Sequence, residues 1–97
     1  MVAKLRSAEI AEKLTALPGW SLDEERNALF REIRLRTFSE TFALMTRIAI
    51  AAEQADHHPE WSNVYNRLSI WLTTHDAGGI TERDFALAAR INAFLGE

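Results

Sequence analysis

The chain has 97 residues, a net charge of −3, 47% hydrophobic and 26% charged residues, and no cysteine. That is the size of one domain around one core, since roughly 60–65% of the unfolded surface is buried at this length. It excludes disulfides and thiolate metal sites. Direct nucleic-acid binding is not expected, because no basic cluster exists beyond Arg31, Arg34 and Arg36. Membrane insertion is not expected either: the longest weakly polar run, IAIAA at 48–52, is too short to span a bilayer. The N-terminal MVAKLRSAEIAEKL lacks the apolar stretch of a signal peptide, and the cytoplasm is the expected compartment.

Ser7 is placed to cap a first helix over about residues 8–17, with Ile10, Leu14 and Leu17 on one face, and Pro18-Gly19 ends it. Residues 20–22 (WSL) read as a short strand and 23–27 as its polar turn. From 29 to 36 Leu29, Ile33 and Leu35 alternate with Glu32, Arg34 and Arg36. Phe30 breaks the pattern and Arg31 falls on the apolar side, which fits a paired edge or a subunit contact. Thr37 and Glu40 have the spacing of a capping box. The helix they open carries two apolar stripes: Phe38, Phe42, Met45, Ala49 and Ala52, and beside it Leu44, Ile48, Ala51 and Ala55. That arc is wider than one core contact requires, so the helix is either central or shared with another subunit. Pro59 is expected to stop it.

Residues 61–66 and 68–74 read as a hairpin about Asn66-Arg67, with Leu68, Ile70 and Leu72 alternating with Ser69, Trp71 and Thr73. After Gly78-Gly79, Thr81 caps a last helix with Asp84 at N3 and Ile80 and Phe85 as its hydrophobic staple. The order αββαββα predicts a single α+β domain over residues 1–97: a four-stranded antiparallel sheet with three helices on one face.

All three histidines, His57, His58 and His75, fall within 19 residues, with Glu53 four before His57 and Asp84 nine after His75. Imidazole, with an unperturbed pKa of ~6.5, gives and takes protons near neutrality. Glu53 and His57 are i and i+4, so the carboxylate is placed to orient one ring nitrogen of His57. Asp84 is placed either to cap its helix or to hold His75. The plainer alternatives are C-capping by the His-His pair and sheet packing for Trp61, Tyr65 and Trp71. A zinc site using these histidines with Glu53 or Asp56 is the remaining alternative, although adjacent His57 and His58 point apart and no HExxH pattern is present.

The run Glu53, His57-His58-Pro59, Tyr65, His75, Asp84 resembles the pterin-4a-carbinolamine dehydratase family, also known as the dimerisation cofactor of a homeodomain transcription factor. The segments FALMTRIA at 42–49, EQADHHPEWSNVYN at 53–66 and TTHDAGGITERD at 73–84 carry the same resemblance, which covers roughly residues 8–95. It implies the fold just described and a lyase, a dehydratase removing water from 4a-hydroxytetrahydrobiopterin to give the quinonoid dihydropterin in tetrahydrobiopterin recycling. It further implies catalytic His57, His58 and His75, with His57 and His75 transferring protons and His58 positioning the pterin. Glu53, Asp56 and Asp84 match the supporting carboxylates, and His57, His58, Pro59, Thr74, His75, Asp76 and Ala77 the pterin contacts. Neither a cofactor nor a metal is implied. The expected partner is a second copy of the chain, in a homotetramer with a central four-helix bundle and sheets continuous across each dimer, the dimer being the fallback. An aromatic amino-acid hydroxylase is the implied metabolic partner. The competing expectations are a binding module that stabilises a transcription-factor dimer, and a pterin-binding protein or dehydratase outside the hydroxylase cycle.

Overall fold

The computed structural model describes residues 2–97. Its elements are α1 (Ser7–Leu14), β1 (Ser21–Asp23), β2 (Ala28–Arg34), α2 (Phe38–Ala55), β3 (Glu60–Val64), β4 (Arg67–Leu72), a 3-10 turn (His75–Ala77) and α3 (Glu82–Phe94). The strands form one antiparallel sheet in the order β1-β2-β4-β3, giving the expected α+β architecture. The period of two in β4 buries Leu68, Ile70 and Leu72 and leaves Ser69 and Trp71 half-buried on the other face. Register pairs Leu29 with Leu72 and Ile33 with Leu68. These side chains join Ile10, Leu44, Ile48 and Ile91 from the three helices in one core. Each Leu or Ile fully withdrawn from water contributes roughly 1.5–3 kcal/mol, so this shared layer holds the helices on one face of the sheet.

Several local expectations shift. The cap of α1 is Arg6, not Ser7: the Arg6 N–H donates to Glu9 Oε1 at 2.9 Å, and the helix ends at Leu14. Only half of the box on α2 forms, with Thr37 accepting from the Glu40 N–H while the Glu40 carboxylate reaches Arg36 N instead. The hairpin turns at Tyr65-Asn66, one residue early, with Tyr65 at φ 52. Asn66 supports this strained turn by donating from Nδ2 to Leu35 O at 2.8 Å.

Arg31 is not on an edge strand. It lies in an internal strand, donating to Asn92 Oδ1 at 2.6 Å and, through both Nη atoms, to the Glu97 carboxylate at 2.8 and 3.0 Å. That guanidinium holds the Glu97 carboxyl below the usual carboxylate range. Of the two stripes on α2, Leu44, Ile48 and Ala51 face the core together with Thr41 and Ala52. Phe38, Phe42 and Ile50 remain 45%, 55% and 55% exposed.

Candidate active site

The site is built on the turn that ends α2. The helix stops at Ala55, four residues before Pro59, because Asp56 takes the left-handed conformation (φ 50, ψ 45). The Asp56 N–H bonds back to the Ala52 and Glu53 carbonyls, and the His57 N–H to Ala52 O at 3.0 Å. A left-handed residue at this position closes the helix with the orphan carbonyls satisfied. It also separates the two adjacent histidines: His57 is 7% exposed, whereas the His58 side chain is 56% exposed.

The first turn of α3 meets His57 from beneath. Thr81 and Asp84 form the reciprocal capping box expected there. Asp84 Oδ2 accepts from the Thr81 N–H at 2.9 Å and the Thr74 hydroxyl at 2.8 Å, while Oδ1 accepts from His57 Nε2 at 2.5 Å. The carboxylate is fully buried. Burying a charge is costly unless it is hydrogen-bonded and paired, and here both oxygens are engaged. Asp84 therefore caps its helix as expected but holds His57, not His75. Glu53 in turn serves His58, with Oε1 2.8 Å from Nε2, and not His57. The i,i+4 expectation assumed that helical geometry continued through residue 57. The left-handed Asp56 interrupts it and brings residue 58 over the Glu53 carboxylate.

His75 opens the 3-10 turn, its side chain 86% exposed, with Nε2 3.8 Å from Glu60 Oε2. The loop around it is tied at its base. Thr74 N donates to Gly79 O at 3.0 Å, and Asn27 in the β1–β2 turn donates to Gly78 O at 3.2 Å. Gly78 sits at φ 77, where a side chain would be strained.

The result is an open cleft of about 250 Å³ lined by Asp56, His57, His58, Thr73, Thr74, His75, Asp76 and Arg83. A neighbouring hollow of about 260 Å³ shares Thr74, Asp76 and Arg83 and adds Val2 and Ala77. Thus the three histidines, Asp56, Thr74 and Asp76 line one cleft. Glu53 touches the cleft through His58 and Asp84 through His57. Ala77 lies next door, and Pro59 is not among the lining residues. Arg83 and Thr73 were missed by sequence reasoning. Arg83 left one signal: it is a cation in the first turn of a helix, where the dipole disfavours it. Among the described residues, no group of three His, Asp or Glu side chains is arranged to hold a metal ion. No described helix is long and apolar enough to cross a membrane. The cleft brings together three imidazoles, two of them hydrogen-bonded to carboxylates, around a space open to a small molecule. That arrangement suits proton transfer to and from a bound ring.

Comparison with known proteins points the same way. The family model described as pterin 4 alpha carbinolamine dehydratase matches residues 3–94. A relative from Rhizorhabdus wittichii is 52% identical over 92 residues, covering 95% of each chain. One from Rhodopseudomonas palustris is 48% identical over 97 residues, covering 100% of this chain and 96% of the relative. Both are provisionally named pterin-4-alpha-carbinolamine dehydratase. A crystal structure from Brucella melitensis, described as a transcriptional coactivator/pterin dehydratase, superposes with a TM-score of 0.90 at 42% identity. The match covers 93% of this chain and 96% of that one.

Proposed function

The chain belongs to the pterin 4 alpha carbinolamine dehydratase family, and we propose that it removes water from a 4a-hydroxytetrahydropterin by histidine acid–base chemistry. The observation that carries this reading is the convergence of His57, His58 and His75 on one cleft, the first two each bonded to a carboxylate. Elimination requires two proton movements. A proton delivered to the C4a hydroxyl lets it leave as water with cleavage of the C–O bond. A ring N–H proton is accepted, and its electron pair completes the new C=N bond. His57 and His75 are assigned these transfers and His58 the positioning of the pterin. With Asp84 holding Nε2 of His57, Nδ1 is the ring nitrogen left to exchange a proton, and the carboxylate stabilises the imidazolium as it forms. Asp76, Thr74 and the backbone of residues 74–77 bound the pterin on the other side. This chemistry calls on no metal or redox cofactor.

The test is turnover of 4a-hydroxytetrahydrobiopterin, followed by the absorbance of the quinonoid product. Acceleration over the uncatalysed dehydration that persists after prolonged EDTA treatment is the expected result. No acceleration ends the dehydratase reading, and loss of activity with removal of stoichiometric zinc ends the metal-free one. The cytoplasm and an aromatic amino-acid hydroxylase cycle are the setting this reaction fits.

A specific observation supports self-association as part of the reading. Phe38, Phe42 and Ile50 of α2 lie exposed, with small Ala49 beside them, a surface that a second copy would cover. The proposed assembly is a tetramer through α2, with a dimer as the fallback and sheets joined at an edge. Light scattering at micromolar concentration checks it, a mass near 11.0 kDa ruling it out. A coactivator role would use such a surface and not the histidines, so it would survive their replacement.

A further inference from the structure

We infer that Arg83 is a positioning residue for the His57–His58 corner, acting by locking the carbonyl end of α2 to the first turn of α3; its effect on turnover rests on the dehydratase reading. Arg83 is the second residue of α3, at the positive end of that helix's dipole, where a cation is disfavoured. Its guanidinium serves the other helix. Nη2 donates to Ala55 O at 3.0 Å and to Asp56 O at 2.6 Å, the last helical residue and the C-cap of α2. Terminal carbonyls have no intrahelical partner and favour a nearby cation. The last turn of α2 contains no basic residue of its own, while Glu53 and Asp56 there add negative charge. The start of α3 thus lends the end of α2 the cation it lacks.

Consecutive residues of α3 grip the same corner in different ways. Asp84 takes the His57 ring through Oδ1, and Arg83 takes the backbone just before it. Asp56 is held in a left-handed conformation that non-glycine residues rarely adopt, and the bond to its carbonyl oxygen fixes the peptide leading into His57. Arg83 is half-buried and lines the cleft, so losing it releases the wall from which both histidines project.

Arg83→Met and Arg83→Gln are compared with the full-length wild type. The Met variant is expected to lose about 10–10²-fold in kcat, the scale on which small misplacements of catalytic groups act, with KM changed less than about threefold. In both variants the His57 amide, bonded to Ala52 O, should exchange with solvent faster, while the Ile70 amide in β4 stays protected. A wild-type kcat together with unchanged His57 exchange overturns the inference, as does a rise in KM alone, which would make Arg83 a substrate contact only. Should Arg83→Met fail to fold, the Gln variant decides by the same two measurements. The exchange measurement needs no substrate: a failure there counts against the Arg83 lock, whereas an inactive wild type counts against the dehydratase reading.

Discussion

His57 and His75 border the same cleft but are held in opposite ways. His57 is buried, its Nε2 2.5 Å from a carboxylate that is itself tied to Thr74 and Thr81. His75 stands on a 3-10 turn with its side chain 86% exposed and its nearest carboxylate 3.8 Å away on the edge strand β3. One wall of the cleft is therefore part of the core and set by folding. The other is a surface loop fixed at its base, by Asn27 and the Thr74–Gly79 bridge, and free at its tip. The difference separates stability from chemistry: disturbing the first wall should affect both, and disturbing the second should affect chemistry alone.

Asp84→Ala should have the largest effect. It leaves the His57 ring and the Thr81 N–H without their partner, and each buried polar group left unsatisfied costs about 1–3 kcal/mol. Urea unfolding should show that loss along with the fall in turnover. A midpoint within error of wild type would mean that the buried wall does not depend on this carboxylate.

Next come the histidines. Replacing either His57 or His75 with Ala should lower kcat by about 10²–10⁴-fold, the usual range for general acid–base groups. Their stabilities should diverge. His75→Ala should stay within about 0.5 kcal/mol of wild type, as exposed substitutions do. His57→Ala should lose about 1–3 kcal/mol because Asp84 is left with a buried unsatisfied oxygen. Equal stabilities would erase the contrast, and turnover within a fewfold of wild type in both would remove their proton-transfer roles.

A third variant moves away from the cleft. Ala49 is exposed on α2, so Ala49→Glu should leave the fold of one chain intact and break only an assembly that buries it. Circular dichroism should be unchanged while light scattering falls to the monomer mass. An unchanged assembled mass would place the interface elsewhere.

The smallest effect belongs to Glu53→Gln. The Glu53–His58 pair is solvent-exposed, at 81% and 56%, and such pairs contribute at most about 1 kcal/mol. Unfolding should barely change, while the KM for the pterin should rise if His58 positions it. A larger destabilisation would show that this outer pair is as structural as His57–Asp84.

Much of this was readable from the residues alone, because it depends on neighbours within four positions. The alternation of Leu68, Ile70 and Leu72 dictated a one-sided strand, and Thr81 with Asp84 dictated a capped helix. Tertiary packing decided what each polar group touches. Glu53 was paired on paper with His57 by helical spacing, but the left-handed Asp56 ends that spacing and gives it His58. Asp84 reaches His57 across 27 positions and Arg31 reaches Asn92 across 61, distances over which no local period carries information. The apolar width of α2 was visible in the sequence, yet only the folded sheet shows which stripe it covers, since one layer of strands can shield one side of a helix and leaves Phe38 and Phe42 outside.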